Sequence, residues 1–135
     1  MAIRLVVGYS VFSYDPTLID SYQSIRAGVI HATGLSNGPS PADLTALYRQ
    51  EQHKRIEQLR QTPIAELASI AAWRRAFSGF GVKPTQYRNA AEALLRRLSK
   101  HGDIPSINLL VDLGNLISIR YALPVAFFDQ ATVEG

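Results

Sequence analysis

The sequence predicts a mixed α/β (α+β) domain, with helices packed on a mixed sheet in the order β-α-β-α-α-α-α-β. Three observations carry that expectation. β-branched and aromatic residues crowd residues 3–12 (IRLVVGYSVF) and again 25–33 (IRAGVIHAT), as strands require. Helix-start residues followed by apolar side chains at i, i+3 and i+4 recur through the middle of the chain. Finally, the run 123–129 (LPVAFFD) is short, apolar and proline-flanked, the pattern of a closing strand.

Tyr14-Asp15-Pro16 closes the first strand. The Asp15 carboxylate can accept a first-turn N–H, and Pro16 suits a position where no N–H donor is needed, giving a short helix to about Tyr22. The second strand, 25–33, runs into a GLSNGP loop at 34–39. Ser40 is placed to cap the next helix, with Pro41 in its first turn and Asp43 facing the positive end of the helix dipole. Leu44, Leu47, Tyr48, Ile56 and Leu59 form only a partial apolar stripe as far as Arg60. The stretch from Gln50 to Arg55 is polar all round, which predicts a peripheral helix.

Thr62-Pro63 opens another helix, with Ile64, Leu67, Ala68, Ala71 and Ala72 inward, Phe77 near its end and Gly79-Phe80-Gly81 stopping it. Asn89-Ala90-Ala91-Glu92 has capping-box spacing, and the helix it opens sets Leu94, Leu95 and Leu98 on one side. Arg96, Arg97, Lys100 and His101 favour its C-terminal end, and Gly102 ends it. Ser106 is placed to cap a last helix across 107–121, with Ile107, Leu110, Val111 and Ile117 on its apolar side. No repeat, low-complexity tract or linker interrupts the chain, so one domain over 1–135 is expected.

Composition narrows the function classes. Apolar residues make up 47% of the 135 and charged residues 19%, a globular balance. No apolar run approaches the roughly 20 residues that cross a bilayer. There is no cysteine, which removes disulfides, thiolate nucleophiles and Cys-based zinc sites. The start MAIRLVVGYS has no basic n-region, long apolar stretch or cleavage site of a signal peptide, so a cytoplasmic location is expected. The three His residues show no HxxxH or HxH spacing, and His31 reads as a hydrogen-bonded structural histidine; neither metal nor cofactor is expected. Phosphate-loop, dinucleotide-binding, nucleophile-elbow and zinc-protease signatures are all missing.

Charge is the informative term. The net charge is +3, and half of the 14 Lys and Arg fall between Trp73 and His101. They are Arg74, Arg75, Lys83, Arg88, Arg96, Arg97 and Lys100, opposed there by Glu92 alone. Such a cluster is the footprint expected for a polyanion such as nucleic acid, or alternatively a solvated basic face. Asp112 and Asn115, three apart on one helix face inside an otherwise apolar run, either pin loops through hydrogen bonds or line a pocket. Asp129 reads as a turn or cap residue.

The second half of the chain resembles a known family. Trp73-Arg74, Gly81-x-x-Pro84, Tyr87-Arg88, Glu92-x-Leu94-Leu95-x-Arg97, Pro105-x-x-Asn108, Val111-Asp112-x-x-Asn115, Leu123-Pro124 and Asp129 are similar to the B3/B4 domain. That domain occurs in the beta subunit of bacterial phenylalanyl-tRNA synthetase and in free-standing proteins, and Trp73-Arg74 with Gly81–Pro84 points to the free-standing branch. The resemblance implies a B3/B4-like fold, association with tRNA, and a pocket that in the synthetase hydrolyses mischarged tRNA. In that pattern Asn115 falls on the asparagine lining the editing pocket and Gly114 on a position often threonine. Pro105 falls where some synthetases place an arginine, and Ala126 where they have histidine.

A methyl group can neither hold water nor move a proton, so chemistry here would not use that histidine. The pocket glutamate of the pattern would lie beyond Gly135, and the resemblance implies further sheet there. Three readings follow: the first two are a trans-acting editing hydrolase of misacylated tRNA and a non-catalytic module binding tRNA or an amino-acid-like ligand. A pocket for an unrelated small metabolite is a third. The expected pocket residues are Asn115, Gly114, Asp112 and Ala126; the expected RNA contacts are the seven basic residues named above.

Overall fold

The structure, a computed structural model, describes residues 2–4 and 12–133. The chain divides into two compact units, Met1–Ser36 and Asn37–Gly135. Within the first, strand β1 (Ala2–Arg4) pairs antiparallel with β2 (His31–Thr33), in the register Ala2 with Thr33 and Arg4 with His31. Between them lies the short helix α1 (Pro16–Ser21), capped as expected by Asp15, whose Oδ1 accepts the Thr17 N–H at 2.8 Å. Most of the expected first strand lies outside the described residues. Of the expected second strand only its last three residues make a ladder.

The second unit is helical throughout. It holds α2 (Ala42–Leu59), a 3₁₀ turn at Ile64–Glu66, α3 (Ala68–Gly79), α4 (Ala90–His101), α5 (Leu109–Tyr121) and a final 3₁₀ turn at Gln130–Thr132. The α/β expectation of helices on a mixed sheet is therefore overturned: among the described residues the sole sheet is a pair of three-residue strands. Residues 123–129 are not a strand. They leave α5 through Ala122, a non-glycine residue in the left-handed region at φ 54°, and turn back so that the Phe127 ring lies over Gly114. The Ser69 and Ser118 hydroxyls hold that exit by donating to the Ala122 and Leu123 carbonyls, both at 2.7 Å. An apolar, β-prone run needs a partner strand to become one, and none stands beside this run.

The core lies between the helices of this unit: Tyr48, Ile70, Ala91, Leu95, Leu98, Ile104, Leu116, Ile119 and Ala122 are buried. Each large apolar side chain so enclosed is worth about 1.5–3 kcal/mol relative to exposure. Leu95 and Leu98 are buried on α4 as its periodicity predicts, with Leu94 packed at the core's edge. The last helix is rotated from its expected face: Ile107 is exposed, whereas Leu116 and Ile119 are buried. Ile107 is exposed because it stands before the helix. Asn108, not Ser106, begins α5 and accepts the Val111 N–H at 3.0 Å. Gly102, at φ 80°, ends α4 and donates its N–H to the Leu98 carbonyl at 2.9 Å, a conformation that any Cβ would strain.

The largest correction concerns α2. Its polar middle predicts a peripheral helix, yet Glu51, Gln52 and Arg55 are buried against α5 and the loop before it. Gln52 is matched on both sides of its amide, giving a hydrogen bond to the Ile104 carbonyl at 3.0 Å and taking one from the Ile104 N–H at 2.8 Å. Arg55 donates to the carbonyls of Ile119 at 2.7 Å and Arg120 at 2.6 Å, at the negative end of α5 where carbonyls have no helical partner. Glu51 accepts from Arg120 Nε at 2.9 Å. Polar side chains can line a core when every buried polar group finds such a partner.

Replacing Arg55 by Met keeps the aliphatic bulk but leaves two buried carbonyls unmatched. Hydrogen bonds from a charged donor contribute about 1.5–3 kcal/mol each, so a loss of roughly 2–4 kcal/mol is expected. The urea midpoint should fall with little change in slope, and Arg55→Lys, a point charge unable to fork, should recover only part.

Candidate functional site

Asp112 is fully buried in the first turn of α5. Its Oδ1 accepts the Ile107 N–H at 2.9 Å, and its Oδ2 accepts the hydroxyls of Ser40, at 2.5 Å, and Ser106. Ser40 is therefore not the α2 cap but a tie between the loop before α2 and α5. Burial pushes the Asp112 carboxyl up, but the bonds from Ser106, Ser40 and Ile107 outweigh it and leave the pKa below the ordinary carboxylate value. The other first-turn N–H groups are also taken. Leu109 donates to the Gly38 carbonyl at 2.8 Å, Leu110 to Asn37 Oδ1 at 3.2 Å, and Val111 to Asn108. The start of α5 is thus a closed loop anchor and offers no free donor to an anion.

Glu92 organises the basic segment. It is fully buried in the first turn of α4, where its N–H donates to Asn89 Oδ1 at 2.9 Å as the capping spacing predicts. The reciprocal half of the box is not made. Glu92 Oε1 instead accepts from Arg74 at 2.9 Å and Arg96 at 2.8 Å, with Arg88 at 3.9 Å. Arg74 also donates to the Pro84 carbonyl at 3.3 Å, and Arg88 to the Thr85 carbonyl at 3.2 Å. The i, i+4 spacings Arg88–Glu92 and Glu92–Arg96 are the signal by which this hub is legible in sequence. Of the seven expected RNA contacts, three are thereby paired with Glu92. Arg75, Lys83, Arg97 and Lys100 are exposed, and their side chains make no hydrogen bond or ion pair among the described residues. Arg97 and Lys100 share the outer face of α4, opposite Leu95 and Leu98.

One turn beyond Asp112, Asn115 is half-buried on α5. Its amide lies beside the hydroxyl of Tyr48 from α2, a ring only 1% exposed. The two do not meet in hydrogen-bond geometry, so the buried phenol oxygen has no partner. Burial pushes the Tyr48 phenol up to about 12; Asn115 and the Arg97 charge oppose that rise, and the Asp112 charge adds to it. Asn115 and Tyr48 therefore form one polar neighbourhood where α2 packs on α5, within reach of the Arg97 charge. Tyr48 is the member that sequence reading misses, since it enters there only as one tooth of an apolar stripe.

The other expected pocket residues are placed apart in character. At Gly114 an added Cβ would sit 2.6 Å from Phe127 Cε2, so the absence of a side chain lets the ring close over the helix. Ala126 is exposed on the irregular segment. Asp129 caps the final turn, accepting the Ala131 N–H at 3.0 Å, as expected of it. Among the described residues no group of His, Asp or Glu could hold a metal ion, and no helix is long and apolar enough to cross a membrane.

Comparison with family models matches residues 72–135 to the B3/4 domain. Over those residues the chain is similar to the B3/4 domain family, in agreement with the resemblance carried by its motifs. No curated protein and no solved structure matches the chain. The B3/4 segment holds Asp112, Gly114, Asn115, Ala126, the Glu92 hub and all seven basic residues. Helix α2, which supplies Tyr48 and the locks on α5, precedes it.

Two outcomes follow. Tyr48→Phe removes a buried hydroxyl that has no partner, so stability should hold or rise, by up to about 2 kcal/mol, in contrast to the usual core loss. The folded phenol keeps its proton above the ordinary value of 10.0, so its contribution is whole below that pH and is lost as pH rises toward about 12. That alkaline limb, followed by denaturant midpoints, should be shallower in the Phe variant. Gly114→Ala gains about 1 kcal/mol of helix propensity and displaces the tip of Phe127, itself 49% exposed. The net stability change should stay within about 1 kcal/mol, with increased Phe127 mobility visible in side-chain NMR.

Proposed function

We propose that the chain is a tRNA-associated B3/4-domain protein whose described residues bind RNA and an aminoacyl-like group. The observation that carries this reading is the family match over 72–135, which spans the whole basic segment. Arg97 and Lys100 on the outer face of α4, with Arg75 and Lys83, supply cations not engaged internally. Phosphates are attracted by such charges and release counterions on binding. Asn115, carrying both amide donors and an acceptor beside the Tyr48 hydroxyl, is the polar group suited to an amino-acid moiety or its ester.

Ester hydrolysis needs a positioned water and donors for the developing oxyanion. Among the described residues Asp112 has its oxygens engaged by Ser40, Ser106 and Ile107, and Ala126 offers only a methyl group. Binding is accordingly the assignment for these residues, and no hydrolytic step is derived from them.

The test is equilibrium binding of tRNA to the full chain across a salt series. Wild type should weaken steeply with salt, and Arg97→Gln/Lys100→Gln should flatten the log–log slope by about 1.5, from roughly 0.7–0.9 per phosphate contact. Binding that ignores salt would overturn the reading. Turnover of misacylated tRNA by the same protein, abolished in Asn115→Ala, would replace binding by editing.

A further inference from the structure

The outer face of α2 carries a surface feature outside the B3/4 segment's own basic cluster. Gln50, His53, Lys54, Glu57 and Arg60 recur at helical spacing along one exposed stripe. With Ile56 and Gly102 they line an open groove of about 630 Å³. Gly102 directly follows the last turn of α4, which carries the exposed Lys100 and His101. Arg97 lies one turn back along the same face of α4, near enough to α2 for its charge to act on the Tyr48 phenol. Gly102, the C-cap of α4, is itself part of the lining, so the groove runs up to the end of that helix.

The charge pattern selects a polyanion. The groove's own lining carries Lys54 and Arg60 against Glu57, and the exposed Arg97 and Lys100 of α4 outnumber the nearby Asp103. Glu57 is paired with Arg60 at 2.9 Å, but both side chains are about two-thirds exposed, at 65% and 69%. Exposed pairs of this kind contribute little and are screened by salt, so Arg60 can exchange its carboxylate for a phosphate. The contrast with Arg74 is sharp: its partner Glu92 is a buried carboxylate whose separation would strand a charge.

We infer that the α2 groove is a second RNA-backbone contact, in which Lys54 and Arg60 take phosphates of the same strand that crosses Arg97 and Lys100. This rests on the tRNA-binding reading and extends its footprint from α4 onto a helix that precedes the matched segment. Ile56 supplies an apolar floor, against which a sugar or base edge can lie while the flanking cations hold the backbone.

The experiment uses the full chain and deacylated tRNA, with wild type, Lys54→Gln/Arg60→Gln and Arg97→Gln/Lys100→Gln titrated at several salt concentrations. The groove variant should bind roughly tenfold more weakly at low salt and lose about 1.5 from the log–log slope. Lys54→Arg, which keeps the charge, should bind like wild type. Wild-type affinity and slope in the groove variant, while the α4 variant is impaired, would overturn the groove alone. Salt-independent or absent binding by wild type would remove the tRNA reading and the groove together. Circular dichroism should be unchanged by either double substitution, since all four side chains are solvent-facing or nearly so.

Discussion

Arg55 holds the end of α5 by its own two carbonyl oxygens, and the rest of the helical unit depends on that contact. It fixes α5 against α2, and with Gln52 on the Ile104 backbone and Glu51 on Arg120 it forms a polar seam through a small core. The seam decides which face of α5 points inward. Asp112 then meets Ser40 and Ser106, Gly114 accepts the Phe127 ring, and Asn115 arrives next to Tyr48. A buried guanidinium without those carbonyls would cost several kcal/mol, so this arrangement has little freedom to slip.

The same physics governs which charges can meet a ligand. Glu92, fully enclosed, draws Arg74 and Arg96 onto one oxygen and holds Arg88 close by. Charges that balance a buried carboxylate are costly to remove, whereas the cations along the outer faces of α4 and α2 are held by weak pairs or by none. A basic segment counted in sequence is therefore larger than the basic surface that the fold displays. On the proposed tRNA-binding reading, this division assigns phosphate to the outer face of α4 and not to the Arg74–Arg88–Arg96 cluster.

Local signals were the legible part. The Asp15 and Asn89 caps, the Gly102 stop, the Leu95–Leu98 face and the B3/4 resemblance all rest on residues close in sequence, where spacing carries the physics. The sheet was misjudged because β-branched content in 25–33 and 123–129 reports a preference that only a neighbouring strand can realise. The burial of α2 was misjudged because a polar helix face reads as solvated unless its partners are known, and those partners are backbone carbonyls some sixty residues away. Tyr48 was hidden for the same reason: only the packing of α2 on α5 sets its hydroxyl beside Asn115.

The most direct test of the account is an NMR titration of the isotope-labelled full chain with tRNA, following arginine and asparagine side-chain signals. The account predicts that Arg97 and Asn115 shift or broaden with added tRNA, while the Arg74, Arg88 and Arg96 signals bound to Glu92 stay in place. Perturbation centred on those three arginines, with Arg97 unmoved, would contradict it.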